Sequence, residues 1–180
     1  MLYRDDDIGK YTDLSLIQKI HSLFVRYNRI HTVSILMDDL WESKAVWFWL
    51  QTTPNLDITL HGWKHVDYSK INIFDLRKNI KQCLDYWEEN SKRAMDVYEY
   101  KFKLLKVFYP PWNKTSPALY QVCSEVGLEV SVKNRVSNPG EVYDFHWWEC
   151  VNDEYFKKLV RALDEDWIKK HVEKEVEELE

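Results

Sequence analysis

The feature that most constrains the fold is an alternation along the chain between short β-rich runs and longer stretches with helical spacing. That alternation is the mark of βα units around a mainly parallel sheet or barrel. Strands are predicted at residues 2–6, 31–37, 56–60, 104–109, 128–132 and 142–147. Helices are predicted at about 13–28, 41–51, from 73 towards 100, at 116–125 and from 153 onward. Asp13 can cap the first helix, whose Ile17, Ile20 and Phe24 share one face. Pro54 closes the second. In the third, Leu76, Ile80, Cys83, Leu84 and Trp87 recur at spacings of three and four, a core stripe by default. Its periodicity leaves open whether it runs unbroken or stops near Asn90 and Ser91.

Pro110 and Pro111 end the fourth strand because neither has an N–H to give a ladder. Gly127 suits a helix C-cap, and residues 137–140 (SNPG) a turn. The charged C-terminal segment 153–180, with a thin stripe of Trp167, Ile168, Val172, Val176 and Leu179, reads as a solvated helix docked on the barrel. The 180 residues are read as one domain, 1–180. The expected architecture is α/β, a distorted, shortened (β/α) barrel of about seven units.

Charge and composition remove several classes of partner. A net charge of -5 excludes a protein that grips nucleic acid through clustered Lys and Arg. Three widely spaced cysteines, Cys83, Cys123 and Cys150, form no CxxC pair and read as reduced, buried fillers. The MLYRDDD start lacks a basic and an apolar region, and no apolar run nears the roughly 18 residues of a membrane span. The chain as written is expected in the cytoplasm, unless a secretion signal has been removed from it. Oligomeric state is left open. Aromatics at 15%, including nine Trp, exceed what the core requires, so some rings are expected to line a site.

Four polar constellations fall at the C-terminal ends of separate predicted strands: Asp5-Asp6-Asp7, His61 with His65, Tyr109-Pro110-Pro111-Trp112-Asn113, and His146. Strand ends of this kind share one rim in barrels and open α/β sheets. Three consecutive carboxylates are costly at a buried strand end unless a cation or a proton compensates them. Two imidazoles four residues apart, with one carboxylate, make the three-ligand set with an open position used for hydrolysis. Gly62 and the preceding strand put the pair in a loop rather than on a helix.

In this order, DD, then HxxxH, then a PPW-type strand end, then a late strand His, the sequence resembles the polysaccharide deacetylase family, also called NodB homology. HGWKH and FYPPWN are its close matches. The resemblance spans Asp5 to His146 and implies a divalent metal, usually zinc, and hydrolytic removal of acetyl groups from an amino sugar or polysaccharide. It implies that Asp6 is the catalytic base and Asp7 a metal ligand with His61 and His65, although the triple Asp also permits Asp5 and Asp6 as the pair. His146 takes the place of the histidine that protonates the leaving amine. The backbone N–H of Trp112 stands where an oxyanion would be supported. Contacts to substrate are expected from Asp5, Tyr109, Pro111, Trp112, Asn113 and Trp148, with Trp63 and Trp147 as further rim aromatics.

The sequence departs from the family in three ways. Tyr109 stands where an Arg often holds the base, the segment that orients the late histidine has no clear counterpart, with Asp144 or Glu149 able to serve in its place, and the barrel is short. A catalytically inactive carbohydrate-binding relative and another metal-dependent amidohydrolase are the competing readings.

Overall fold

The computed structural model describes residues 2–98, 104–132 and 142–177. Strands β1 (Leu2–Ile8), β2 (His31–Leu36), β3 (Leu56–Gly62), β4 (Leu104–Phe108), β5 (Glu129–Val130) and β6 (Val142–His146) form one sheet. Its order is β5-β4-β3-β2-β1-β6, and every ladder is parallel. The α/β reading of the alternation is therefore right. Six strands fall among the described residues where about seven units were expected, and no β5–β6 ladder is among them.

The central strands carry the core. In β2, His31 through Ile35 are all buried, the two-sided burial of a strand covered on both faces. Helix α1 (Leu14–Arg26) begins at Asp13, whose carboxylate accepts from the N–H groups of Ser15 and Leu16, and buries Ile17, Ile20 and Phe24 against the sheet. The second helix is shorter than expected. A 3-10 turn occupies Leu40–Glu42, and α2 (Lys44–Thr52) follows it up to the residues before Pro54. Helix α3 (Ile73–Tyr98) runs through Asn90 and Ser91 unbroken and buries Leu76, Ile80, Cys83 and Trp87. Asn90 stays in the helix because its amide donates to the Tyr86 carbonyl one turn back.

Helix α4 (Pro117–Glu125) is capped by Ser116 and followed by Gly127 at φ 72°, the left-handed C-cap the sequence suggested. Helix α5 (Asp153–Glu177) docks through Leu159 and Leu163, not through the expected stripe, since Trp167 and Ile168 are exposed. Asp164 and Asp166 anchor it to Tyr27 and Arg29. The side chains of Val172 and Val176, Leu179 and the turn at 137–140 lie outside the described residues. Cys83, Cys123 and Cys150 are buried and free, and burial pushes the Cys123 and Cys150 thiols up to about 12, so none is a ready nucleophile. Among the described residues no helix is long and apolar enough to cross a membrane.

Candidate functional site

Parallel strands deliver their C-terminal ends to one rim, and β1, β3, β4 and β6 bring the four polar constellations together there. Two irregularities in the ladders aim the side chains. The β1–β2 register shifts between Asp5 and Ile8, and within that bulge Asp7 takes a left-handed backbone with φ 64°. The β2–β3 register shifts where Leu36 pairs with Gly62 rather than His61. His61 is thus on the strand, not in a loop.

Asp7 Oδ1 lies 3.4 Å from His61 Nε2 and 3.5 Å from His65 Nε2. One donor atom from each of the three residues falls within 4.8 Å of the others. The ring of His61 is fixed from behind: its Nδ1 lies 2.6 Å from the Tyr109 carbonyl, to which it can only donate, which leaves the Nε2 lone pair facing Asp7. Both Nε2 of His61 and Oδ1 of Asp7 are buried without a hydrogen-bond partner among the described residues. Ligands held about 2.0–2.2 Å from a tetrahedral ion stand roughly 3.3–3.6 Å apart. The spacings and the two unpartnered atoms therefore fit a divalent ion, with two imidazoles and a carboxylate as a zinc-type donor set.

The far oxygen of Asp7 is held separately. The indole N–H of Trp148 donates to Oδ2 at 3.4 Å, the indole N–H of Trp147 donates to the Asp7 carbonyl at 3.2 Å, and His146 Nε2 stands 3.7 Å from Oδ2. Burial pushes the Asp7 carboxyl up, but close contact with His61 and the charge that His61, His65 and His146 can carry outweigh it, so it sits below the usual value. The His65 imidazole is lowered, chiefly by burial, against the pull of Asp7. His146 is itself oriented by Glu149, which accepts its backbone N–H at 2.9 Å and lies 3.2 Å from Nδ1. Asp144 turns elsewhere, towards Arg4.

The three aspartates have three different environments. Asp5 has no exposed surface and sits 3.4 Å from His31 Nε2, on the core side of the strand and away from the rim where substrate contact was expected. Burial, with Asp6 next to it, raises Asp5 well above the ordinary carboxylate range, and burial lowers His31. Asp6 pairs with the buried guanidinium of Arg4 at 2.7 Å. The position of Tyr109 lacks the expected Arg, yet a guanidinium is present, supplied from β1. Sequence reasoning passed over Arg4, although Arg4 and Asp6 share one face of a strand by their spacing of two.

Of the remaining residues, Tyr109 and Pro111 are buried, and Asn113 contacts Arg4. Trp112 is 57% exposed at φ 54° and meets the His65 ring edge-on, while Trp148 is 49% exposed and stacks on His146. A cavity of about 250 Å³ opens beside the donor set, lined by Asp7, His65, Tyr11, Trp63 and Trp147 with Lys10 and Lys64 among its other walls. Tyr11 in its rim was not singled out from the sequence, where an exposed loop tyrosine carries no pattern.

Gly62 is the backbone hinge of the site. It holds φ 126°, and a Cβ there would lie 2.7 Å from Tyr68 Cζ and closer still to the hydroxyl. Tyr68 cannot yield, because it is fully buried and accepts the Trp63 N–H at 2.8 Å. Gly62→Ala is expected to cost roughly 3 kcal/mol or more in stability. It should lower Tm by roughly 6–12 °C and weaken metal binding through the displaced His61 and His65. Thermal melting and metal titration check both, and Tyr68→Phe should not rescue the variant, since the ring carbon still clashes.

No protein-family model and no curated protein matches the sequence. Solved structures share its fold. A family 4 carbohydrate esterase from Streptomyces lividans, in complex with acetate, superposes with a TM-score of 0.69 at 13% identity, over 93% of this chain and 88% of that one. Peptidoglycan deacetylase PdaC from Bacillus subtilis gives 0.63 at 15% identity, over 99% and 95%. A family 4 pseudoenzyme from Bacillus anthracis gives 0.64 at 11% identity, over 91% of this chain and 60% of that one. The chain therefore has the fold of the family 4 polysaccharide deacetylases. That fold also occurs without activity, so function must be argued from the rim.

Proposed function

We propose that this chain is a divergent, short member of the polysaccharide deacetylases, a metal-dependent hydrolase that removes acetyl groups from an amino sugar or polysaccharide. The observation that carries the reading is the Asp7, His61 and His65 set, spaced as ligands and partly unpartnered, with His146 Nε2 3.7 Å from Asp7 Oδ2. A divalent ion bound there supplies activation of water near neutral pH and polarisation of an amide carbonyl. Asp7, His61 and His65 hold the ion, zinc by the chemistry of the donors.

Asp6 acts as the base that accepts the water's proton. His146, held through Nδ1 by Glu149, presents Nε2 to the departing nitrogen and protonates it as the C–N bond breaks. Trp112 contributes its backbone N–H to the developing oxyanion. The sugar ring rests in the 250 Å³ cavity against the flat faces of Tyr11, Trp63 and Trp147, which offer apolar surface of the right form for a pyranose.

The test is acetate release from N-acetylglucosamine oligomers by purified protein of measured metal content. Release should cease on treatment with a chelator and return on adding zinc. Protein that holds metal and binds the oligomer but releases no acetate is an inactive relative, and that result overturns the proposal. Turnover of amides other than acetamides, with none of the sugar, would assign the chain to another class of amidohydrolase.

A further inference from the structure

The β1–β6 ladder stops one residue short of Asp7: its last pair in register is Asp6 with His146, and beyond it Asp7 turns to φ 64°. A residue other than glycine keeps such a backbone only where its surroundings enforce it. Two indoles do so. Directly after His146 the chain winds into a 3-10 turn, Trp147–Val151, held at its start by Glu149, which accepts the His146 N–H at 2.9 Å. That turn sends two consecutive tryptophans back to one residue. Trp147 Nε1 donates to the Asp7 carbonyl at 3.2 Å, and Trp148 Nε1 donates to Asp7 Oδ2 at 3.4 Å.

The two oxygens of the Asp7 carboxylate are thereby made unequal. Oδ2 faces the Trp148 indole, with His146 Nε2 further off at 3.7 Å. Oδ1 faces His61 and His65 and has no hydrogen-bond partner among the described residues. The cavity beside the site is lined by Trp147 and not by Trp148. Trp148 is 49% exposed, its ring is set by stacking on His146, and its one polar group, a donor only, points inward to Asp7.

We propose that Trp148 is a positioning residue of the metal centre: by holding Oδ2 it makes Asp7 a ligand through Oδ1 alone, and so keeps one coordination position open for water. This rests on the reading of Asp7, His61 and His65 as the ligands. A carboxylate released to chelate through both oxygens would take the position that a hydrolytic site leaves open. Trp147 acts one step further back, on the backbone from which that carboxylate projects.

The experiment loads metal-free wild type, Trp148→Phe and Trp147→Phe with cobalt(II), whose visible absorption weakens as its coordination number rises. Phenylalanine keeps a ring against His146 and loses the N–H. Trp148→Phe should still take up one ion, with a several-fold weaker visible spectrum and, when zinc-loaded, acetate release reduced roughly 10–100-fold. Trp147→Phe, whose lost bond is to a carbonyl, should lower Tm and leave the cobalt spectrum as in wild type. A Trp148→Phe spectrum identical to wild type, or the same weakening in Trp147→Phe, overturns the role of Trp148. Wild type that takes up no ion overturns instead the reading of the ligands. Should Trp148→Phe fail to fold, the crystal structure of zinc-loaded wild type decides: Oδ1 alone on the ion with Oδ2 on the indole is the expected result, and both oxygens on the ion overturns it.

Discussion

Replacing Asp7 with asparagine is expected to leave the fold intact, to empty the metal centre and to lower acetate release at least about a thousandfold. Asparagine is the informative substitute. Asp7 holds φ 64°, a left-handed backbone that Asn tolerates and Ala resists, so Asp7→Asn keeps the bulge that Asp7→Ala would strain. The amide is also near enough in shape to keep a bond from the Trp148 indole, which meets Oδ2 at 3.4 Å. What it loses is the negative charge, and a neutral amide is not among the ordinary ligands of zinc. Circular dichroism should be unchanged while the metal-to-protein ratio falls.

A control separates the aspartates. Asp5 has no exposed surface and contacts His31 within the core, so Asp5→Asn should leave metal stoichiometry as it was. Metal loss in Asp5→Asn and none in Asp7→Asn would reverse the assignment of the ligand.

The contrast explains how a run of three carboxylates survives at a strand end. Each meets a different environment: Asp5 is buried against His31, which favours its protonated form, Asp6 pairs with the Arg4 guanidinium, and Asp7 faces three imidazoles at 3.4, 3.5 and 3.7 Å. The sequence alone calls for a cation or a proton without dividing the three. Alternation along β1 is what divides them, since successive side chains leave opposite faces and the bulge then turns Asp7 outward.

What was legible in the sequence follows the range of the forces involved. Strands, helix caps and the α1 and α3 core faces are written in local spacing, and the Asp13 and Gly127 caps stand where the sequence put them. The α5 docking face was not legible, because Leu159 and Leu163 carry no stronger pattern than Trp167 and Ile168, and only the tertiary anchors to Tyr27 and Arg29 choose between them. At the rim, residue types at strand ends pointed to the right neighbourhood. The supporting contacts did not show: the Tyr109 carbonyl behind His61 is backbone, invisible to residue type, and Arg4 reaches Asn113 across 109 positions.

His146 offers the sharpest separation of chemistry from binding. Its Nδ1 is occupied by Glu149, its ring stacks on Trp148 with centroids 4.9 Å apart, and it lies outside the three-residue donor set. On the proposed reading this group gives its proton to the leaving atom and is not a metal ligand, so His146→Ala should keep the metal and nearly the same KM. The kcat on an N-acetylated sugar should fall by roughly 10²–10⁴, the usual contribution of a general acid. On an aryl acetate the loss should shrink to less than about tenfold, because a phenolate departs without being protonated. Equal losses on both substrates would mean that His146 shapes the site rather than protonates the amine. Loss of metal would make it a fourth ligand instead.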